Sequence, residues 1–371
     1  MYVKQINVLI CDDSALMRKI LKSIIEEDPG LVVIGAARDG VDAVEKARDL
    51  KPDVITMDIN MPRQDGITSM QQIVSEGLAP VIMLSSLTQE GAMATFEALE
   101  LGAFDYVAKP GGTISTNLDV ISDELRSKIK AAATSDILRK LRKSRDYYES
   151  VRNRSDKQLK KEKDRSALSR ILTQRKGSGL GYKAVALGIS TGGPKTLLNV
   201  LPYLPKDINA AVFLVQHMPP NFTATFASRI NTASEMECVE AENGMLVKPG
   251  IIYLARGGRH LTLFKKSTGE IIVRTPDRPE HLFIPSVDVM MQSVLSIYKA
   301  DTVGVIMTGM GHDGAAQMAK IKEANGITIA ESEESAIVFG MPAEAIKLGC
   351  IDSILPSWKI ADEIKRAVKS N

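Results

Sequence analysis

Asp58 closes an apolar run, Val54-Ile55-Thr56-Met57, and three other runs end on chemically capable residues. Asp12-Asp13 follows Ile6 to Cys11, Ser85-Ser86 follows Val81 to Leu84, and Lys109 follows Phe104 to Ala108. Short apolar runs bounded by polar residues read as strands buried on both faces of a parallel sheet. Ligands of such sheets bind outside the carboxyl ends of the strands, so the four sets should converge on one site. Clustered carboxylates suit a hard divalent cation, and Mg²⁺ suits a site that keeps positions open for a phosphate.

A second set lies downstream. Gly188-Ile189-Ser190-Thr191-Gly192-Gly193-Pro194 matches G-x-S-x-G between a strand pattern and a helix pattern, the context a nucleophile turn requires. Its glycines permit a sharp turn and close approach to Ser190. Pro194 suits a first helical turn, and the helix start offers free N–H groups to a developing oxyanion. The loop also reads as a Gly-rich phosphate or dinucleotide loop, although the G-x-G-x-x-G spacing is absent. His217, in Gln216-His217-Met218-Pro219, follows a buried strand and is either a structural histidine or a general base. Asp313, in Thr308-Gly309-Met310-Gly311-His312-Asp313-Gly314, can cap the helix that begins at Gly314. It can also hold His217 in one tautomer, as the acid of a triad does, and two carboxylate oxygens allow both. The chain order Ser…His…Asp differs from the Ser…Asp…His order of α/β-hydrolases.

These residues need scaffolds. A chain of 371 residues suggests two or three domains. Residues 1–125 alternate five strand runs, beginning near Ile6, Leu31, Asp53, Pro80 and Phe104, with helical patterns such as Ala15 to Glu27 and Val41 to Leu50. This predicts a flavodoxin-like (βα)5 domain with Ser14 capping its first helix and Ser122 to Ala133 forming its last. Residues 126–180 read as a basic linker: between Arg126 and Lys176 there are 18 Lys/Arg against 6 Asp/Glu, so a +12 segment sits in a chain of net charge +2. A solvated tether is favoured there over a nucleic-acid or lipid patch, because no aromatic-rich or helix-turn-helix pattern accompanies the charge. Nucleic acid is therefore not expected as a partner.

Residues 181–371 form a second α/β pattern. Strands are predicted at Ala184 to Ile189, Ala211 to Gln216, Ile251 to Ala255, Thr302 to Met307, Gly326 to Ala330 and Cys350 to Leu355. Helices are predicted at Pro194 to Leu201, Asn221 to Ile230, Ser286 to Tyr298, Gly314 to Glu323 and Ala343 to Leu348, with a hairpin over 259–274. The fold class is thus α/β, with a doubly wound, mostly parallel second domain carrying an antiparallel excursion.

No apolar run approaches the roughly 20 residues of a membrane helix, and a strand run begins a few residues after Met1, so neither a membrane span nor a signal peptide is expected. Cys11, Cys238 and Cys350 lack metal spacing and read as reduced thiols of a cytoplasmic protein.

At this point two resemblances carry the reading further. Residues 1 to about 125, with Asp12-Asp13, Asp58, Ser85 and Lys109, resemble the receiver domain of two-component response regulators. Residues 183–356 resemble the catalytic domain of the chemotaxis protein-glutamate methylesterases, the CheB family. The matching motifs are Gly188-Ile189-Ser190-Thr191-Gly192-Gly193, Gln216-His217-Met218, Pro285-Ser286-Val287-Asp288 and Met307 to Gly314.

The resemblance implies a hydrolase acting on glutamyl methyl esters of methyl-accepting chemotaxis receptors, with methanol released, and on specific receptor glutamines. Ser190 would be the nucleophile, His217 its base and Asp313 the orienting acid, with the N–H groups of Thr191 and Met310 as the oxyanion hole. No cofactor is implied at that site. Asp58 would accept a phosphoryl group from the histidine kinase CheA, with Mg²⁺ on Asp12, Asp13 and Asp58. Lys109 would pair with the phosphoryl group, Ser85 would hydrogen-bond to it, and Tyr106 would report the switch. The unphosphorylated receiver would block the triad. His312 ranks second to His217 as base. Ile284 stands before Pro285 where the family commonly has an arginine.

Overall fold

The alternating pattern of the first domain folds as read. In this computed structural model, residues 5–109, 118–134 and 177–369 are described, and the chain divides into two units, Met1–Ile137 and Leu138–Asn371. The first unit runs β1 (Ile6–Cys11), α1 (Ala15–Glu26), β2 (Leu31–Ala37), α2 (Gly40–Leu50), β3 (Val54–Asp58), α3 (Gly66–Ser75), β4 (Val81–Ser85), α4 (Gln89–Leu101), β5 (Asp105–Ala108) and α5 (Leu118–Thr134). Its five strands are parallel, in the order β2-β1-β3-β4-β5. Every residue of β3, β4 and β5 is buried, which is why those runs read as uninterruptedly apolar.

Side-chain caps fix where the following helices begin. Ser14, Asp39, Asp65 and Thr88 accept from the backbone N–H groups of Met17, Asp42, Thr68 and Gly91. These caps set the length of the loops at the carboxyl edge of the sheet, where Asp12, Asp58 and Lys109 stand. α5 continues past residue 125, the position at which the sequence reading ended the first domain. Of the basic segment 126–180, only 126–134 and 177–180 are described.

The second unit contains β6 (Lys183–Ile189), α6 (Gly193–Leu197), β7 (Ala210–Gln216), α7 (Pro220–Ala233), β8 (Glu237–Glu240), β9 (Ile251–Leu254), β10 (Thr262–Lys265) and β11 (Ile271–Arg274). It continues with α8 (Val287–Tyr298), β12 (Thr302–Ile306), α9 (Ala315–Glu323), β13 (Ile327–Glu331), α10 (Met341–Lys347), β14 (Ser353–Leu355) and α11 (Ser357–Lys369). Seven strands form one parallel sheet, β14-β13-β12-β6-β7-β9-β8, and β10 and β11 form a separate antiparallel pair.

Two local expectations change. β8 was not legible, because only Cys238 of its four residues is buried outright, as befits an edge strand. The helix expected from Pro194 to Leu201 stops at Leu197, and Leu201–Tyr203, with Pro202 inside it, is a separate 3₁₀ turn. Proline cannot donate the hydrogen bond that a continuous helix would need there.

Candidate active sites

The first candidate site lies at the carboxyl edge of the receiver-like sheet. Asp12 and Asp58 are almost wholly buried, at 0% and 4% exposure, and Asp13 is exposed. One ligand atom from each of the three carboxylates lies within 4.8 Å of the others. Lys109 extends its ammonium between two of them, 2.9 Å from Asp12 Oδ2 and 2.7 Å from Asp58 Oδ2. Burial disfavours the Lys109 charge, but Asp58 and Asp12 outweigh it and hold the ammonium above its ordinary pKa. Burial also pushes the Asp58 carboxyl upward, with Lys109 opposing.

Three oxygen donors and no nitrogen or sulfur fit a hard divalent cation. Such an ion would add positive charge beside the Lys109 ammonium. Ser85 is fully buried and its hydroxyl is engaged by α4: it donates to Gly91 O at 3.1 Å and accepts from Thr95 Oγ1 at 2.7 Å. No hydrogen bond joins Ser85 to Asp58 among the described residues. The Tyr106 ring is buried at 4% exposure, with Lys128 Nζ 5.1 Å from its centroid.

The second candidate site draws on three adjacent strands. β6 pairs with β12 on one side and β7 on the other, in a register that aligns Gly188 with Ile306 and Ile189 with Gln216. The segments leaving these strands therefore emerge at one edge, carrying Ser190, Asp313 and His217. His217 Nδ1 lies 3.1 Å from Ser190 Oγ, and His217 Nε2 lies 2.8 Å from Asp313 Oδ2. Burial alone would raise the Asp313 carboxyl. The hydrogen bond and charge of His217, with the N–H groups of Asp288 and Val287, hold it instead at about 2.

An ionised carboxylate only accepts, so the proton on His217 sits at Nε2 and the bare Nδ1 faces the serine hydroxyl. The ring is thus used the opposite way round from the triad in which Nε2 meets serine. A serine hydroxyl, an accepting imidazole nitrogen and a carboxylate in this order can form a nucleophile, its base and the group that neutralises the imidazolium.

Asp313 does not cap the helix that follows it; that start, α9, has Gly314 at its cap with no side-chain bond. Instead it caps α8, a distant helix in sequence. Asp313 accepts from Val287 N at 2.7 Å, Asp288 N at 2.9 Å and Ser286 Oγ at 3.0 Å, and Ser286 Oγ in turn accepts from Val289 N. The expectation failed because the carboxylate points back across the sheet edge to His217, where the N-terminus of α8 also arrives.

The nucleophile loop is held from several directions. Gln216 Nε2 donates to Ser190 O at 3.0 Å, and Ser190 N donates to Thr308 O at 2.9 Å. The fully buried Thr308 donates its hydroxyl to Thr191 O, accepts from Val338 N, and donates its own N–H to the buried Glu331. Gly192 adopts φ 75, a left-handed turn that favours glycine. At Gly309 a side chain would collide with Met341 Sδ and meet Ser190 Cβ at 2.8 Å, so only glycine lets this loop approach the serine. The backbone N–H groups of Thr191 and Met310 donate to no partner among the described residues.

His312 is exposed and makes no hydrogen bond to Ser190 among the described residues, unlike His217. Three contributors were missed in the sequence. Phe283 stacks on His217 with ring centroids 4.3 Å apart and planes inclined by 14°. His260, fully buried, donates from Nε2 to Pro279 O at 2.9 Å and accepts Ser286 N at Nδ1, 3.2 Å away, and burial lowers its pKa. Glu331 carries Thr308. No local spacing signals any of the three, since each acts through partners nineteen or more residues away.

Comparison with known proteins agrees with this layout. The sequence model of the CheB methylesterase domain matches residues 185–364, and that of the response regulator receiver domain matches residues 8–116. A protein-glutamate methylesterase/protein-glutamine glutaminase 3 of Syntrophomonas wolfei is 55% identical over 98% of this chain and 99% of its own length. A second protein of that name from Carboxydothermus hydrogenoformans is 47% identical over 99% of this chain and 100% of its own, and one from Caldanaerobacter subterraneus is 44% identical over 98% and 97%. With receiver-type carboxylates on one sheet, a serine–histidine–aspartate relay on the other, and relatives this similar along nearly the whole chain, the protein belongs to the CheB family of protein-glutamate methylesterases/protein-glutamine glutaminases.

Proposed function

We propose that this chain is a phosphorylation-activated hydrolase of chemotaxis, removing methyl groups from glutamyl esters of methyl-accepting receptors and deamidating receptor glutamines. The observation that carries the reading is the relay of Ser190, His217 and Asp313 at 3.1 and 2.8 Å, beside the unpartnered N–H groups of Thr191 and Met310. Ser190 Oγ bonds to the side-chain carbonyl carbon while His217 Nδ1 takes its proton. Asp313 stabilises the imidazolium that results. Thr191 and Met310 donate to the carbonyl oxygen as it becomes anionic, each donor of this kind being worth about 2.7–4 kcal/mol. His217 returns the proton to the methoxide oxygen as it leaves as methanol, or to the amide nitrogen of a glutamine as it leaves as ammonia. Water then repeats the attack on the acyl-enzyme, giving a glutamate carboxylate and free Ser190.

Asp58 is the proposed phosphoryl acceptor, with the histidine kinase CheA as donor. Asp12, Asp13 and Asp58 would hold Mg²⁺, which when bound neutralises phosphoryl oxygens. Lys109 pairs with the same oxygens once it releases Asp58. Ser85 must leave Gly91 O and Thr95 to bind the phosphoryl group, and the buried Tyr106 is the reporter of that change. The proposed division is a receiver, a basic connector and a catalytic domain, with the first boundary moved from 125 to the end of α5. Among the described residues no helix is long and apolar enough to cross a membrane. Action from the cytoplasm on membrane-bound receptor arrays is part of the proposal, and the three free, buried cysteines accord with it.

The test is methanol release from methylated receptor membranes, with and without Mg²⁺ and a small phosphodonor. Release that rises with the donor supports both sites and their coupling. No release from folded protein in either condition refutes the esterase reading.

A further inference from the structure

We infer that Phe283 is a positioning residue for the base, fixing the plane of the His217 ring and stabilising it as an imidazolium; this rests on the esterase reading above. The two rings are close to parallel, 14° apart, with centroids at 4.3 Å, and the His217 side chain is only 7% exposed. Two in-plane contacts, to Ser190 Oγ and Asp313 Oδ2, set which nitrogen faces which partner. They do little against tilting of the ring about the line joining them. A flat aromatic face supplies that restraint. It also presents the negative side of its quadrupole to the positive charge that appears when His217 takes the serine proton. Apolar packing alone would not supply the second effect.

Phe283 is itself held from both sides by backbone that does not depend on its ring. Gly258 N donates to Ile284 O at 3.0 Å. The buried His260 clips the segment at Pro279 O and at Ser286 N. The same segment delivers Ser286, Val287 and Asp288 to Asp313. One stretch of chain thus orients both the acid and the base, and Phe283 is the part of it that touches the base. Phe283 is itself only half-buried, so core packing alone does not account for an aromatic at this position.

The test uses the full chain with Phe283→Leu, Phe283→Tyr and Phe283→Met, the last serving if leucine prevents folding. The first readout is the rate at which a fluorophosphonate labels Ser190, which depends on the serine–histidine pair and not on receptor recognition. Leucine or methionine should slow labelling about tenfold, and tyrosine should remain within about twofold of the parent. Thermal unfolding midpoints should not follow that ranking. In methanol release the loss should fall on kcat with KM little changed. Labelling of the leucine variant at the parental rate overturns the inference, as does a tyrosine variant as slow as leucine, or losses that simply track the unfolding midpoint. A parent that is labelled but releases no methanol refutes the substrate reading alone, with the labelling ratio still deciding Phe283. A parent that is not labelled refutes both.

Discussion

Asp313 has two attachments, and Asp313→Asn should separate them. The carboxylate accepts four donors: His217 Nε2 and Val287 N on Oδ2, and Asp288 N and Ser286 Oγ on Oδ1. An asparagine offers one accepting oxygen and one NH₂. Either rotamer sets that NH₂ against a backbone N–H, the buried one of Val287 or the partly buried one of Asp288. An unsatisfied buried donor costs about 1–3 kcal/mol. The carboxyl held from 3.8 down to about 2 gives a second measure: at about 1.4 kcal/mol per pH unit it contributes about 2 kcal/mol. Because the folded value is the depressed one, that stability is present above pH 3.8 and lost as pH falls through about 2.

Asp313→Asn should therefore destabilise the second unit at pH 7 by about 1–3 kcal/mol and also slow catalysis by about 10⁴, the scale seen when a triad acid becomes an amide. Ser190→Ala should abolish catalysis with unchanged stability. Urea unfolding of the full-length variants, set beside methanol release, reads both. An Asp313→Asn protein as stable as Ser190→Ala would refute the capping role, and one with near-parental turnover would refute the catalytic one.

Other outcomes follow from the same geometry. Asp58→Asn should lose the increment in methanol release that a phosphodonor produces, and unchanged stimulation would mean another acceptor. Chelating divalent cations should remove the same increment and the phosphoryl label on the chain; phosphorylation that persists in chelator would exclude a metal on Asp12, Asp13 and Asp58. Gly309→Ala places a methyl group 2.8 Å from Ser190 Cβ, and displacement of the nucleophile by about 1 Å should cost on the order of 10²-fold in kcat. A parental kcat would show that the loop yields instead. Ser286→Ala removes both the cap of α8 and a donor to Asp313, and thermal unfolding should show a loss of about 0.5–2 kcal/mol.

Much of this protein was legible from its sequence. Strands buried on both faces are written as continuous apolar runs, so β1, β3, β4 and β5 and the residues that end them could be read directly, as could β6, β7 and β12 of the second unit. Ser14 announced a cap and the structure has it. The loops that carry Ser190, His217 and Asp313 were legible because each leaves a buried strand, a context with a local signature. β8 was not, because an edge strand needs only one covered face. The end of α6 was not, because apolar residues continue past the point where the backbone changes type.

Sequence alone determined which residues could do chemistry and at which strand ends they stand, since both follow from side-chain type and from burial periods of a few residues. Tertiary structure decided the order β12-β6-β7, and with it the meeting of Ser190, His217 and Asp313 across 123 residues of chain. It also decided that His217 turns Nδ1 to the serine, that Asp313 caps α8 and not its own helix, that Ser85 is engaged by Gly91 and Thr95, and that Phe283 covers the base. Each of these depends on where a side chain points after distant segments pack together. Hydrogen-bond and stacking geometry is fixed over a few ångströms in space, and local sequence spacing carries no record of it.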